Sequence, residues 1–258
     1  MNNIPANTVF IGHHRLNLPS CHSTNDECAL LLQQGKAFEG TLISTDHQTA
    51  GRGQRGNQWE SAANQNLTFS VVLLPTFLRA DEQFLLSMAV AVGVREGLAR
   101  LDHPALDPAA LSVKWPNDIY YQDQKLGGLL LENTVRQVSL QHTIAGIGLN
   151  VNQANFAVAK ATSLFLLTGT AWDREEVLQS VVQGVERQYL QLRNGQRDTL
   201  RAHYLRHLYR YQEVHRFRET DGRTFAGEVV GVSPQGHLVI REETQLRRFG
   251  MKEIEFLD

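Results

Sequence analysis

Four short segments carry residue types that could do chemistry. The first is Gly51-Arg52-Gly53-Gln54-Arg55-Gly56. Its three glycines would let backbone N–H groups come close to a ligand, and Arg52 and Arg55 add fixed positive charge. That combination suits a phosphate or a carboxylate. The segment matches the G-x-G-x-x-G dinucleotide fingerprint and follows a predicted strand, but its surroundings do not fit. Asn57-Gln58-Trp59-Glu60-Ser61 opens no apolar-periodic helix, and about 20 residues on stands Pro75-Thr76 where an acidic ribose ligand belongs. No kinase catalytic-loop signature follows and no Walker A sequence occurs. Taken alone, the segment is more simply a flexible surface loop with solvated arginines.

The second segment is Lys114-Trp115-Pro116-Asn117-Asp118 at the junction of two predicted strands. The lysine could neutralise a phosphate, and Asp118 could hold Mg²⁺ or orient a cation; an ordinary ion pair at a strand-to-turn transition accounts for the pattern equally well. The third is Lys125-Leu126-Gly127-Gly128-Leu129-Leu130-Leu131-Glu132, where glycines opening a strand leave room for a ligand or another backbone, although hairpin lysines are common. The fourth is Gly146-Ile147-Gly148-Leu149-Asn150-Val151-Asn152, a strand end with two amides that could recognise a base edge or simply form a turn. His13-His14 and the pair His203/His207 lack a third ligand, and surface helix is the simpler reading of the second pair. Cys21 and Cys28 can make neither a disulfide framework nor a four-thiolate zinc site, and reduced thiols of a cytoplasmic protein fit them best.

The elements that must position these groups follow from periodicity. Apolar spacing predicts helices over 24–34, with Ser23 as N-cap, 81–101 (amphipathic), 173–194 and 197–210, and strands over 41–45, 67–74, 112–115, 118–121, 126–133 and 139–151. Residues 46–66 form a polar, glycine-rich stretch with no core pattern, and loops of that length are usually functional or disordered. From about 213 the pattern turns to short strands. The fold class is therefore α+β: a mixed sheet with helices over 1–211, followed by a small β-barrel-like unit over 212–258. The 258 residues, with 25 Lys+Arg against 27 Asp+Glu and a net charge of −2, exclude a broadly basic nucleic-acid binder. No secretory signal is read at the N-terminus, and no apolar run approaches the ~20 residues of a membrane span.

Taken in order, Ser23-Thr24-Asn25, Gln48 through Trp59, Lys114-Trp115-Pro116-Asn117-Asp118, Lys125-Leu126-Gly127-Gly128 and Gly148-Leu149-Asn150-Val151-Asn152 closely resemble the series found in the biotin protein ligases (biotin–[acetyl-CoA-carboxylase] ligases). The resemblance runs from about Ser23 to the C-terminal β unit, which looks like the family's SH3-like domain. It implies a catalytic domain of the biotin/lipoate ligase type. The reaction it implies uses biotin and ATP with Mg²⁺ to form biotinyl-5′-adenylate, then biotinylates a lysine of a biotin carboxyl carrier protein.

On this resemblance Ser23, Thr24, Asn25 and Gln48 meet the ureido head of biotin. Arg52, Gly53 and Gln54 close over biotin and the adenylate phosphate, with Gly128 beside biotin. Lys125 holds the acyl-phosphate oxygens and Lys114 the phosphates. Asp118 serves the nucleotide side, through Mg²⁺ or by orienting the incoming amine, and no dedicated metal site is implied. Arg55, Trp59, Asn117 and Asn150 fall to the nucleotide.

Two departures stand out: Gln54 replaces an arginine present in many members, and about twenty residues before Ser23 are too few for the winged helix-turn-helix of the repressor members. The expectation is a cytoplasmic ligase with no DNA or membrane partner. The resemblance allows a monomer or a homodimer, and an edge strand such as Ser139–Ala145 could pair across a two-fold axis. The nearest rivals are a lipoate–protein ligase or octanoyltransferase of the same fold, and a non-catalytic biotin-binding regulator.

Overall fold

The computed structural model describes residues 7–257, apart from the side chain of Arg55. Its main sheet has seven strands: β1 (Arg15–Leu18), β2 (Leu42–Thr45), β3 (Leu67–Leu73), β4 (Leu111–Lys114), β5 (Asp118–Tyr121), β6 (Gln124–Arg136) and β7 (Ser139–Leu149). Their spatial order is β1-β2-β3-β7-β6-β5-β4. β1 runs parallel to β2, and the other neighbours are antiparallel. The helices are α1 (Thr24–Gln33), α2 (Gln83–Leu98), α3 (Leu164–Thr168), α4 (Arg174–Arg193) and α5 (Arg197–Arg206). A second, antiparallel sheet follows, formed by β8 (Val214–Glu219), β9 (Thr224–Val232), β10 (Leu238–Glu242), β11 (Gln245–Phe249) and β12 (Ile254–Leu257), in the order β11-β10-β9-β8-β12.

The α+β class read from the sequence is the one the structure has. Two expectations need correcting. The helix over 81–101 is not amphipathic: 13 of the 16 residues of α2 are buried, because α2 lies between the sheet and α4. The two helices approach so closely that a Cβ on Gly93, Gly97 or Gly184 would run into the facing backbone. The strand over 139–145 is not an edge, since β7 is paired with β6 on one side and β3 on the other. Elements β1 and α3 were not anticipated. The RLNL of β1 has little apolar signal of its own and gains its geometry from the ladder with β2, while the five-residue α3 depends on its caps, Ser163 at one end and left-handed Gly169 at the other.

Alternation along the paired strands divides the sheet into two faces. On one, Leu67, Phe69 and Val71 of β3 align with Leu149, Ile147 and Ala145 of β7 and join α2 and α4 in the main core. On the other, Thr68 and Ser70 align with Gly148 and Gly146, and these with Gly128 and Leu130; Asp118 stands opposite Gly128. One end of this second face is covered by α1, whose Cys28 packs with Ile43, Val72 and Ile144. The remainder opens into a cavity. The second sheet does not stand apart: its Phe217, Phe225 and Ile240 belong to the main apolar cluster, and the indole N–H of Trp115 donates to the Gly236 carbonyl at 2.9 Å. Among the described residues no helix is long and apolar enough to cross a membrane.

Candidate functional site

The start of α1 forms one wall of the cavity. Ser23 occupies the N-cap position, but its hydroxyl does not cap the helix. Gln48 takes that role, its Oε1 accepting from the Thr24 backbone N–H at 2.9 Å and so satisfying one of the orphan donors of the first turn. Gln48 reaches this position because its segment is stitched to the one before α1: Cys21 bridges to Gln48, and the N–H groups of Thr49 and Ala50 donate to the carbonyls of Cys21 and His22.

Behind this wall stands Ser70, fully buried, 2.6 Å from Asn25 Oδ1 and 2.7 Å from Thr24 Oγ1. An amide oxygen only accepts, so the single Ser70 proton goes to Asn25, and the Thr24 hydroxyl has two acceptors in reach, Ser70 Oγ at 2.7 Å and Gln48 Oε1 at 3.2 Å. Thr24 Oγ1 thereby keeps accepting capacity for a ligand.

The segment from Gly51 to Trp59 is ordered by its own backbone. Trp59 N–H donates to the Gly51 carbonyl at 3.0 Å, Gly53 N–H to that of Asn57 at 2.7 Å, and a single 3₁₀ turn, Gln54–Gly56, forms the tip. Gly56 has φ 83°, a conformation that favours glycine. The Trp59 ring lies against Gly148, where a Cβ would enter it, and its buried indole N–H has no hydrogen-bond partner among the described residues. Arg52 holds the loop down through Asp26 on α1 (2.6 Å) and Glu132 on β6 (3.1 Å). These pairs are largely exposed and so worth roughly 0–1 kcal/mol each, weak enough for the loop to open.

The opposite corner holds the Lys125–Asp118 pair, Nζ to Oδ1 2.7 Å. The ladder between β5 and β6 shifts register after Ile119, pairing Ile119 with Gly127 and Tyr120 with Lys125. This bulge puts an extra residue between Lys125 and Gly128 and turns the lysine to the cavity side. A Cβ on Gly128 would sit 3.3 Å from Asp118 Oδ1 and 3.5 Å from Lys125 Nζ, so the glycine keeps space open at the pair.

All the residues expected on the acyl-substrate side line one cavity of about 240 Å³: the α1 trio, Gln48, the loop residues Arg52, Gly53 and Gln54, and Lys125 with Gly128. Trp59, Asn117 and Asp118 of the expected nucleotide side line it as well. Two expected residues do not. Lys114 Nζ lies among aromatic rings, 4.6 Å from the centroid of Tyr120 and 5.1 Å from that of Phe256, with the Tyr120 hydroxyl at 3.2 Å. Burial holds its pKa below the usual lysine range. Asn150 is buried and its Nδ2 donates to the Thr162 carbonyl at 2.9 Å, fastening the chain that follows β7. The side chain of Arg55 lies outside the described residues. Motif reading missed Ser70 and Thr68, although strand alternation puts both on the glycine face, and it missed Met251 and Lys252, which reach the cavity from the second sheet and carry no local signal.

Residues 18–150 match the biotin/lipoate A/B protein ligase family, and the chain belongs to that family. Among its relatives is the biotin–[acetyl-CoA-carboxylase] ligase of Mycobacterium tuberculosis, 33% identical over 174 residues, or 67% of this chain and 63% of that protein. The chain thus spans less than two thirds of that relative. The bifunctional ligase/repressor BirA of Bacillus subtilis is 29% identical over 256 residues, 96% of this chain and 75% of that one. The biotin protein ligase of Aquifex aeolicus in complex with biotin and ATP superimposes with a TM-score of 0.76 at 27% identity, covering 95% of this chain and 98% of that one.

Proposed function

We propose that the chain is an ATP-dependent biotin–protein ligase that forms biotinyl-5′-adenylate and passes the biotinyl group to a lysine of a biotin carboxyl carrier protein. The observation that carries this reading is the division of one cavity into a buried wall of neutral hydroxyls and amides and a corner holding Lys125 and Asp118. A ureido head group has donors and an acceptor that such a wall can pair. Thr24 Oγ1 and Asn25 Oδ1 can accept its N–H groups, and the Ser23 hydroxyl, free of capping duty, can donate to its oxygen. A lipoyl or octanoyl chain has no such donors or acceptor at its far end, and would leave the remaining hydrogen-bonding capacity of this wall unused.

In the first step the biotin carboxylate attacks the α-phosphorus of ATP and pyrophosphate leaves. Lys125 stabilises the charge that grows on the acyl-phosphate oxygens. Trp59 packs beside the nucleotide, and Asn117 borders the same side. Lys114, directly across the β4–β5 ladder from Asp118, contributes its charge from behind the site rather than by contact. Mg²⁺ enters with ATP, where it would neutralise phosphate charge. Asp118 is the carboxylate available to hold it, and among the described residues no three His, Cys, Asp or Glu converge on a metal.

In the second step the acceptor amine attacks the anhydride carbonyl, loses a proton, and AMP leaves. Asp118 orients the amine, while the 51–59 loop keeps water from the anhydride. The experiment is incubation of the protein with ATP, biotin and a purified carrier domain. Addition of one biotinyl group per domain with matching AMP release is expected; modification with lipoate or octanoate but not biotin would overturn the assignment.

A further inference from the structure

One carboxylate at the rim of the cavity touches both halves of the acyl-substrate site. Glu132 Oε2 accepts a hydrogen bond from Asn25 Nδ2 at 2.7 Å. The same carboxylate faces Arg52 in a two-pronged arrangement, with Oε1 3.1 Å from Nη1 and Oε2 3.2 Å from Nη2. Glu132 lies on β6 two residues beyond Leu130, on the glycine face of the sheet. It ends the third sequence segment without a role of its own, and it lines the cleft adjoining the cavity beside Asp26 and Arg52.

The chemistry of the carboxylate decides the orientation of Asn25. An ionised carboxylate has no proton to give, so the amide must turn Nδ2 toward it and Oδ1 away. Oδ1 then takes the Ser70 proton at 2.6 Å and occupies the space over Gly146, where a Cβ would collide with it. The hydrogen bonds from Ser70 through Asn25 therefore run toward Glu132, whose 2.7 Å contact is the short one; the Leu130 carbonyl, at 3.4 Å, is a second and weaker acceptor for the same Nδ2. A glutamine at 132 has both a donor and an acceptor, and would leave the orientation of the Asn25 amide to the long contact with the Leu130 carbonyl alone.

We propose that Glu132 is a positioning residue. It fixes the Asn25 amide with its oxygen toward the ureido N–H groups of biotin and, through Arg52, ties that orientation to closure of the 51–59 loop. This inference rests on the biotin reading of the site. Asp26 provides the control, because it holds Arg52 from the helix side while Asn25 Nδ2 points at Glu132.

The test compares Glu132→Gln, Glu132→Asp and Asp26→Asn with the unmodified chain in biotin-dependent pyrophosphate exchange, alongside thermal melts and protection of the 51–59 loop from protease by biotin. Glu132→Gln should raise the biotin KM about ten-fold with kcat within about three-fold, as expected when ground-state binding is lost, and biotin should no longer protect the loop. Glu132→Asp, which keeps an anionic acceptor, should recover part of the loss even if Glu132→Gln folds poorly. Asp26→Asn, which loosens the loop but leaves Asn25 held, should raise the biotin KM several-fold less than Glu132→Gln does. A Glu132→Gln KM within two-fold of the unmodified chain, or equal KM shifts in Glu132→Gln and Asp26→Asn, would overturn the proposal. Absence of biotin-dependent exchange in the unmodified chain would instead overturn the biotin reading itself.

Discussion

On one face of the main sheet Phe69, Ile147 and Leu129 stand side by side beneath the helices; one residue further along each strand, on the other face, stand Ser70, Gly146 and Leu130. The same three strands thus build two surfaces under different rules. On the helix face large side chains fill space, and any residue of matching volume and polarity serves. On the cavity face, Leu130 apart, these side chains are small or polar, buried hydroxyls are held by hydrogen bonds, and the atoms that matter are lone pairs and protons. Damage to the first face should appear as lost stability, and damage to the second as lost recognition or rate.

The largest expected effect is on the helix face. Phe69→Ala should cost about 3–5 kcal/mol of unfolding free energy, since Phe69 is fully buried in the core. Its neighbour Ser70→Ala should cost about 1–3 kcal/mol by stranding partners, and should weaken biotin binding in proportion. Urea titration and calorimetry on both variants check this, and a Ser70→Ala protein with intact biotin affinity would erase the distinction between the faces.

Lys125→Ala should slow adenylate formation about 10²–10³-fold while biotin affinity holds, because its charge acts on oxygens that become more negative in the transition state. Collapse of biotin affinity, with the rate at saturating biotin unchanged, would contradict its role.

A smaller effect concerns Gln54 at the tip of the loop. Hydrogen bonds from arginine are worth ~1.5–3 kcal/mol against ~0.5–1.5 for a neutral amide. A gain of about 1 kcal/mol makes Gln54→Arg release biotinyl-adenylate roughly five-fold more slowly. An unchanged off-rate there, with a large increase in Arg55→Ala, would move the phosphate contact to Arg55.

The smallest effect is one of pH. Burial, with Arg95, His203 and Arg206 nearby and Glu96 opposing them, lowers the pKa of His207 from 6.5 to about 4. The unfolded chain therefore binds the proton more readily between those values. The stability contributed by neutral His207 is complete above pH 6.5 and declines as the pH falls through about 4. His207→Gln should flatten the melting temperature over that window relative to the unmodified chain.

The two faces also differ in how far they can be read from sequence. The helix face declares itself through alternation: 67–74 and 139–151 were placed within two residues because Leu67, Phe69 and Val71 recur every second position. The site was legible where residue type alone restricts function, as in the glycines beside Arg52 and Lys125. It was not legible where function depends on distant pairing. Glu132 is an ordinary strand glutamate until β6 lies beside α1, and Ser70 is an ordinary strand serine until Asn25 folds over it. Lys114 shows the converse, since its motif suggests a contact residue, whereas the fold sets it among the rings of Tyr120, Tyr209 and Phe256. The half-buried position of His207, read as surface helix, likewise depends on α5 lying against α2.

The central claim is that one cavity pairs a neutral head group with a carboxylate poised to attack ATP, and exchange of labelled pyrophosphate into ATP measures that step alone. Exchange that requires biotin and is not supported by lipoate or octanoate is the predicted result; exchange driven by lipoate or octanoate and indifferent to biotin would contradict it.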